Sequence, residues 1–312
     1  MQAVALRKNG TTDDLAFFPD LATPTPATDE VLVRVKASTL NRVDQVIIRG
    51  YPGLNLDFPH VMGADIAGEV AALGDDVQGW SVGARVAVYP LVACGRCTLC
   101  DEGKPHLCDH FHYFGMHRPG GYAQYAAVPA ANLVALPDHV DYAAAASVGV
   151  AGLTALHALR ENQGLVPGNT LFIWGATGGL GVFAIQLAKS MGLDVIATTR
   201  DPAMKSRLEA LGATLVLDTN DDVVAKVKER YPSGVDQVID YVGPATFARS
   251  HLLLKKGGTL TLCGILTGVE TNLSIHQTYF RHLRVQGVYL GTLAEYREVL
   301  DRLARGEIEV PI

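Results

Sequence analysis

The sequence has few features that suit a membrane, a nucleic acid or a secreted protein. It contains no run of 18 or more strongly apolar residues, and the uncharged stretch from Tyr142 to Leu156, 15 residues rich in Ala and Gly, is too short for a bilayer. The N-terminal residues MQAVALRKNG carry charges where a signal peptide has its apolar region. With 26 basic and 32 acidic side chains the net charge is −6, which provides no basic surface for nucleic acid. We therefore expect a cytoplasmic protein that binds neither membrane nor nucleic acid.

Cysteine is scarce, with five residues, and four of the five fall within 15 positions. A secreted protein of this size would instead spread its cysteines among disulfides. The spacing Cys94-x2-Cys97-x2-Cys100-x7-Cys108 can place four thiolates around one tetrahedral ion. Zinc suits four sulfur ligands, and a site with no open position is structural; an iron–sulfur cluster and disulfides are the alternatives. The fifth cysteine, Cys263, ends an apolar strand and is interpreted as a buried core thiol.

The length of 312 residues and the apolar fraction of 48% predict two domains with sizeable cores. The first part of the chain consists of short strands, such as Val31–Val35, with Gly and Pro at their joints, which is typical of a β-rich domain. After about residue 150, apolar strands such as Leu171–Trp174 alternate with helical patterns, which predicts a parallel sheet covered on both faces. The predicted fold class is α/β: a doubly wound, parallel-sheet Rossmann domain over 151–290 and a β-rich domain over 1–150.

A glycine-rich turn follows the first strand of the predicted parallel sheet. Glycines at 175, 178 and 181 let the backbone turn sharply and approach a pyrophosphate, and the following helix N-terminus offers unpaired N–H groups to phosphate. An ordinary strand-to-helix connection is the alternative, but the flanking strands and helix favour a dinucleotide. The cofactor-binding residues predicted at this turn and at later strand ends are Ala176, Thr177, Gly178, Gly179, Leu180, Val242 and Gly264.

The end of the second parallel strand indicates which dinucleotide binds. An NAD site usually has an acid there for the ribose hydroxyls, whereas this chain has Thr198, Thr199 and Arg200, with Lys205 in the next helix. A guanidinium pairs with a 2′-phosphate, and two hydroxyls can donate to it. Asp201 is one position late and is interpreted as a helix cap. The pattern favours NADP(H), although Arg200 and Lys205 can also be solvated surface charges.

These features, with the element Gly152-Leu153-Thr154-Ala155, resemble the medium-chain dehydrogenase/reductase superfamily, which includes the zinc-containing alcohol dehydrogenases. The likeness covers nearly the whole chain. It implies that residues 1–150 form a GroES-like catalytic domain, that residues 291–312 return to it, and that 151–290 bind the dinucleotide. Family members continue by about one strand, helix and strand, so either the chain is incomplete or its catalytic domain is trimmed.

The resemblance breaks where the alcohol dehydrogenases of this superfamily hold a catalytic zinc. The matching positions are Asn41, Ala64 and Val150, in place of Cys, His and a further Cys. An amide, a methyl group and an isopropyl group cannot together bind zinc tightly, so we expect no catalytic zinc. The pattern Asn41-x-x-Asp44 instead looks like the quinone oxidoreductase branch, which works without catalytic zinc.

The resemblance also implies roles for three residues. Asn41 and Thr154 lie near the nicotinamide, and Asp44 supports the loop that carries Asn41. The Asn41 amide either meets the substrate oxygen or only braces the loop. Without a Lewis acid an alcohol is a poor hydride donor, whereas a quinone or an α,β-unsaturated carbonyl is already electrophilic. We therefore predict hydride transfer from NADPH to such a small-molecule acceptor.

Two other functions stay open on the sequence. One is a zinc-type alcohol dehydrogenase for alcohols or aldehydes, with unusual ligands such as His60, Asp65 or Asp44. The other is an NADPH-binding protein with a structural or regulatory role. In either case the family pairs Rossmann sheets edge to edge, and the last strand, Leu283–Tyr289, is apolar. We therefore expect a homodimer or homotetramer.

Overall fold

The computed structural model describes residues 1–51, 53–162 and 164–310 of the chain. Pro311 and Ile312, the last residues of the predicted return segment, lie outside the described residues. The chain divides into two compact units. The first unit contains Met1–Leu153 and Thr292–Ile312, and the second contains Thr154–Gly291.

The strands of the first unit are short and antiparallel. They are β1 (Ala3–Leu6), β2 (Leu15–Phe18), β3 (Glu30–Ala37), β4 (His60–Val61), β5 (Ile66–Leu73), β6 (Arg85–Val88), β7 (Leu91–Val92), β8 (His112–Tyr113), β9 (Tyr125–Pro129) and β10 (Leu133–Ala135). They form sheets in the orders β2-β1-β4, β10-β6-β5-β3-β9 and β7-β8. Alternate residues of β3, such as Val31 and Val33, pack into a core with Ile66 and Val70 of β5. The prediction of a β-rich, GroES-like domain is confirmed.

The second unit contains a six-stranded parallel sheet. Its strands are β11 (Thr170–Ile173), β12 (Asp194–Thr199), β13 (Leu215–Asp218), β14 (Val235–Asp240), β15 (Leu254–Leu262) and β16 (Arg284–Gly287). Their order is β13-β12-β11-β14-β15-β16, and all neighbouring strands are parallel. The chain adds β12 and β13 on one side of β11, and then β14, β15 and β16 on the other side, so the strand order reverses between β11 and β14. A doubly wound sheet binds its ligand at the carboxyl ends of the strands beside such a reversal. The predicted Rossmann fold is confirmed.

The α-helices that the structure describes are mostly short. They are α1 (Arg42–Arg49), α2 (Thr98–Asp101), α3 (Tyr142–Ser147), α4 (Leu153–Arg160), α5 (Gly179–Ser190), α6 (Lys205–Leu211), α7 (Val223–Arg230), α8 (Pro244–Leu253), α9 (Ile275–Phe280) and α10 (Leu293–Ala304). A π-helical turn, Val148–Gly152, joins α3 to α4. The helical stretch is thus continuous from Tyr142 to Arg160.

This continuous helix corrects the expectation that its apolar stretch is too short for a bilayer. At 19 residues it is long and apolar enough to cross a membrane, because the helix extends four residues beyond Leu156. It is nevertheless mostly buried, with 67% of its most apolar window inside the protein. Burial of this extent is consistent with the core helix of a soluble protein.

The last strand of the sheet is shorter than the predicted Leu283–Tyr289. The strand β16 spans Arg284–Gly287 and lies at the sheet edge. The backbone leaves the extended conformation soon after, since Leu290 has a positive φ of 57°. Val285 and Tyr289 are exposed, so the edge carries apolar side chains that face solvent in the single chain.

Candidate active site

Asn41 lies where the chain leaves strand β3 and begins helix α1. It is the N-cap residue of α1, and Asp44 closes a capping box with it. The Oδ2 atom of Asp44 accepts hydrogen bonds from the Asn41 backbone N–H at 2.7 Å and from the Tyr122 hydroxyl at 2.7 Å. Burial raises the pKa of Asp44, while these two hydrogen bonds lower it. Asp44 therefore fixes the backbone position of Asn41.

Asp65 is a fully buried carboxyl group beside Asn41. Its Oδ2 atom accepts hydrogen bonds from Thr39 Oγ1 at 2.5 Å and Asn41 Nδ2 at 2.7 Å, and its Oδ1 atom accepts one from the Val150 backbone N–H at 2.7 Å. Burial raises the pKa of Asp65 to about 6, against the lowering effect of the three hydrogen bonds; the nearby charge of Asp44 raises it further. A buried carboxyl group without a cation needs such donors to stay ionised near neutral pH.

The residues at the former metal positions do not fit a catalytic zinc. Ala64 is a buried methyl group, Val150 contributes only its backbone N–H, and Asn41 has turned its amide nitrogen toward Asp65. A zinc ligand must offer a lone pair, which a methyl group, an isopropyl group and an amide nitrogen do not. Asn41 and Val150 instead take part in the hydrogen-bonded network around Asp65.

The unusual ligand set considered for a zinc alcohol dehydrogenase is not brought together. His60 is buried, and its Nε2 atom lies 3.0 Å from the Gly115 carbonyl oxygen. The oxygens of Asp65 are occupied by its three donors. Within the described part of the chain, the four cysteines are the one group of three or more His, Cys, Asp or Glu residues whose ligand atoms can meet on one ion.

Thr154, the third predicted catalytic residue, belongs to the second unit. It is the second residue of α4 and is buried, with 6% of its surface exposed. The structure thus brings Asn41 and Asp44 together within the first unit, and Thr154 stands at the start of the other unit. Its proximity to the nicotinamide stays a prediction.

The glycine turn has the backbone geometry that a phosphate site requires. Gly175 has a positive φ of 60°, and Gly178 is the N-cap of α5 with an extended backbone. A Cβ atom at Gly181 would lie 2.6 Å from the Ala176 Cα atom, so only glycine allows the helix to pack this closely on the turn. Thr177, Gly179 and Leu180, together with Ala176, lie on this turn and on the first residues of α5.

Thr198 lies at the end of β12, against the glycine turn. Its side chain is fully buried, and its hydroxyl accepts the Gly175 N–H at 2.9 Å and donates to the Ile173 carbonyl at 3.3 Å. The neighbouring Thr199 hydroxyl is buried and bonds the Asp201 backbone on both sides. Neither hydroxyl points freely to solvent, because both side chains hold the backbone at the strand end.

Replacing Thr198 with valine should therefore destabilise the second unit without altering cofactor preference. The substitution leaves the partly buried Gly175 N–H without its acceptor, which lowers the free energy of unfolding by about 1–2 kcal/mol. Urea unfolding measures the loss, and dissociation constants for NADPH and NADH measure the preference. A selective loss of NADPH affinity would contradict this structural role and support the predicted phosphate contact.

Arg200, which follows β12, and Lys205, the first residue of α6, both have exposed side chains. Arg200 is exposed and has no ion-pair partner among the described residues, and Lys205 is 3.9 Å from Glu209 in an exposed i,i+4 pair. The Asp201 carboxylate accepts the Ala203 backbone N–H and caps the short 3-10 turn before α6. The interpretation of Asp201 as a helix cap is confirmed.

The carboxyl ends of β14 and β15 carry Val242 and Gly264. Val242 and Gly243 donate their backbone N–H groups to Asp240 Oδ1, each at 3.0 Å, and Asp240 is fully buried. A Cβ atom at Gly264 would lie 2.5 Å from the Tyr241 carbonyl oxygen, so the two strand ends approach closely. Both predicted positions thus lie on the edge where β11 carries the glycine turn.

Tyr241 is a residue of this edge that sequence patterns did not identify. Its hydroxyl donates a hydrogen bond to the Gly175 carbonyl oxygen. An added Cβ at Gly178 would lie 3.3 Å from the same hydroxyl, so the tyrosine lies against the glycine turn. An aromatic residue directly after a buried acid at a strand end was the available signal, but it does not specify the partner.

The four-cysteine lobe, residues 91–113, gathers its sulfurs as the spacing predicted. All four Sγ atoms lie within 4.8 Å of one another; Cys97 is 3.5 Å from Cys100 and 3.8 Å from Cys108. Four sulfurs at about 2.3 Å from a tetrahedral zinc would lie about 3.8 Å apart. Backbone N–H groups of Cys100 and Asp109 lower the pKa of Cys97 to about 6, whereas burial raises the pKa of the neighbouring Cys100 thiol to about 11. The cluster therefore fits a structural zinc.

Cys263 departs in part from its interpretation as a buried core thiol. The residue as a whole is partly exposed at the end of β15. Burial of the thiol, with a smaller contribution from the charge of Asp240, nevertheless raises its pKa to about 12. Cys263 is thus an unreactive thiol at the carboxyl edge of the sheet rather than a core residue.

Comparison with known proteins identifies the family of both domains. The chain matches the alcohol dehydrogenase GroES-like domain over residues 27–138 and the zinc-binding dehydrogenase family over residues 179–305. Alcohol dehydrogenase 1 of Neurospora crassa is 33% identical over 301 residues, which cover 95% of this chain and 85% of that protein. A solved NAD-dependent alcohol dehydrogenase is 32% identical with a TM-score of 0.94, covering 99% of this chain and 90% of the other.

A structure from Sinorhizobium meliloti 1021, described as a zinc-binding dehydrogenase bound to NADP, is 30% identical with a TM-score of 0.90 and covers 99% of this chain and 90% of that chain. These matches define an oxidoreductase fold with a GroES-like and a Rossmann-type domain. The chain belongs to the medium-chain, zinc-containing alcohol dehydrogenase superfamily.

Proposed function

We propose that this oxidoreductase transfers a hydride from NADPH to a quinone or an α,β-unsaturated carbonyl compound without a catalytic zinc. The observation that carries the proposal is the network at the former metal positions. Asn41 and Val150 donate hydrogen bonds to the buried Asp65. Positions 41 and 150 match those at which the alcohol dehydrogenases of the superfamily carry ligands of the catalytic zinc. One N–H of the Asn41 amide has no acceptor among the described residues, and this donor, rather than a Lewis acid, is proposed to meet the reacting group.

The reaction follows from what such donors can stabilise. An alcohol must lose its proton before it yields a hydride, and a neutral amide does not lower an alcohol pKa as a metal does. An enone accepts hydride at its β-carbon, its π electrons move to the carbonyl oxygen, and a solvent proton completes the product. A donor near that oxygen stabilises the developing enolate. Asn41 supplies this donor, and Asp44 fixes the backbone that carries it.

The second unit has the groups that NADPH requires. When bound, the cofactor supplies the hydride; the chain only binds and orients it. The backbone of the glycine turn from Ala176 to Leu180 would hold the pyrophosphate at the N-terminus of α5. The exposed Arg200 would pair with the 2′-phosphate, and Val242 and Gly264 would line the strand edge beside the nicotinamide half.

The sharpest test compares acceptors and metal dependence in one preparation. We expect NADPH oxidation with a simple quinone or enone, followed at 340 nm, to continue after incubation with a zinc chelator that leaves the fold intact. Primary and secondary alcohols should give no NADP reduction. Elemental analysis of protein purified without added metal should find about one zinc per chain. Loss of all activity on chelation, with two zinc ions per untreated chain, would overturn the proposal.

A zinc-type alcohol dehydrogenase is the second candidate, because the relatives are named as alcohol dehydrogenases. It requires a second metal ion and turnover of alcohols, so the same experiment decides between the two. An NADPH-binding structural or regulatory protein is the third candidate. Tight NADPH binding without turnover on a broad acceptor panel would favour it.

We also propose a homodimer or homotetramer in the cytoplasm, with a second copy of the chain on the edge strand β16. Val285 and Tyr289 are exposed at this edge, and Tyr279 and Phe280 of α9 are also exposed. Exposed apolar side chains at a sheet edge favour pairing with another copy.

A further inference from the structure

We propose that Asp65 is a positioning residue that holds the Asn41 amide with its second N–H directed to the oxygen of the acceptor. The proposal rests on the proposed function, because that oxygen belongs to the quinone or enone.

The chemistry of the Asp65 carboxylate fixes which end of the Asn41 amide faces it. An ionised carboxylate only accepts hydrogen bonds, so the amide must turn its nitrogen toward Asp65 Oδ2, 2.7 Å away. The Thr39 hydroxyl donates to the same oxygen atom at 2.5 Å. One N–H of Asn41 is used in this way, and the second has no acceptor among the described residues.

The carboxylate is itself held in one place. The π-helical turn Val148–Gly152 brings the Val150 N–H to Asp65 Oδ1 at 2.7 Å. A Cβ atom at Gly149 would lie 2.1 Å from the same oxygen, so only glycine leaves room for it. The Ser38 hydroxyl donates to the Asp65 carbonyl at 2.6 Å. Both carboxylate oxygens and the backbone carbonyl of Asp65 therefore accept hydrogen bonds from the protein. Because these contacts hold Asp65 in place, the fold sets the orientation of the Asn41 amide before the acceptor binds.

The titratable groups that face Asp65 are all acids. Burial is the main cause that raises the pKa values of Asp65, Tyr122 and Tyr296; the charge of Asp44 adds to it at Asp65, and the charge of Asp65 adds to it at the two tyrosines. No cation forms an ion pair with Asp65 in the part of the chain that the structure describes. Asp65 therefore depends on its three hydrogen-bond donors, and one of them is the amide that it orients.

Asp65→Asn tests the proposal with little change in volume. The new side-chain amide at position 65 turns its own nitrogen toward Asn41, so the Asn41 amide reverses and presents its oxygen to that nitrogen. We expect kcat for the acceptor to fall about 10²-fold, as for the loss of one donor to a developing oxyanion, while KM for NADPH stays within about twofold. An unchanged kcat would overturn the proposal.

The exchange variant Asn41→Asp/Asp65→Asn separates positioning from support of the fold. It restores a hydrogen bond between the two positions but places a carboxylate before the acceptor. If Asn41 and Asp65 both only supported the fold, the exchange would restore both the urea midpoint and kcat. We expect it to restore the midpoint and leave kcat low. Glu30→Gln is the matched control: it alters a buried carboxylate of the same unit that pairs with Arg118, and it should leave kcat unchanged.

A spectroscopic measurement keeps this test separate from the proposed function. In ¹⁵N-labelled protein, the Asn41 side-chain amide signal should shift with a midpoint near pH 6, the value to which burial raises the pKa of Asp65, and Asp65→Asn should abolish this shift. The Asn41 backbone signal, bonded to Asp44, should still titrate in that variant. A wild-type enzyme inactive on every quinone and enone would overturn the proposed function, whereas a side-chain signal that ignores Asp65→Asn would overturn the positioning role.

Discussion

Replacement of both Cys97 and Cys100 by serine is expected to remove zinc from the protein and to unfold the four-cysteine lobe. The lobe has little apolar core of its own: its regular structure is limited to the two-residue strands β7 and β8, the four-residue helix α2 and one 3-10 turn. Such short elements do not fold in isolation. The metal must therefore supply most of the folding free energy of this segment.

The expected magnitude is large, because zinc bound by cysteine ligands contributes apparent binding free energies of about 10–16 kcal/mol in small zinc domains. Two serines leave only two thiolates, Cys94 and Cys108, which do not retain the ion at low free zinc. We expect zinc to fall from about one ion per chain to nearly none. The amides of 93–110 should then exchange with solvent rapidly in deuterium-exchange measurements, while β11 to β15 of the second unit stay protected.

Cys263→Ser is the control for this prediction, because Cys263 lies outside the cluster. It removes a thiol without changing the ligand set, so zinc content and lobe protection should match those of the wild type. A double variant that keeps one zinc per chain would place the ion elsewhere and contradict the structural role of the lobe. Iron and inorganic sulfide in the wild type would instead support a cluster at the same ligands.

Features encoded within a short stretch of chain could be predicted from the sequence. The cysteine spacing fixes four sulfurs within one loop, and the glycine turn from Gly175 to Gly181 has to lie between a strand and the helix that follows. The sequence also shows that the side chains of Ala64 and Val150 have no atom that can bind a metal ion in any conformation. In each case the residue type determines the property before the fold is known.

The network around Asp65 could not be predicted in the same way. Its partners Asn41 and Val150 are 24 and 85 positions away along the chain, and one of them contributes only a backbone N–H. The π-helical turn that provides this N–H has no sequence signature among the alanines and glycines of the helix. The contacts of Thr198 could not be predicted for a related reason. A threonine hydroxyl at a strand end can bind a ligand or a backbone group, and only the fold shows that it accepts the Gly175 N–H.

Replacement of Arg200 by glutamine is expected to abolish the preference for NADPH. Arg200 is exposed at the end of β12 and has no ion-pair partner among the described residues, so nothing within the described fold requires its charge. A guanidinium beside a 2′-phosphate forms charge-assisted hydrogen bonds of about 1.5–3 kcal/mol each. Losing two such bonds should raise the dissociation constant of NADPH about 10²-fold or more, and that of NADH should stay nearly constant.

Arg207→Gln is the matched control, because Arg207 is an exposed arginine on α6 and its replacement changes the net charge by the same amount. If the effect of Arg200 were only the general attraction of a cation for a polyanion, both variants would weaken both cofactors alike, and the difference would disappear at high salt. We expect the loss to be confined to Arg200→Gln and to NADPH. A wild-type protein that binds NADH as tightly as NADPH would show that Arg200 and Lys205 are solvated surface charges.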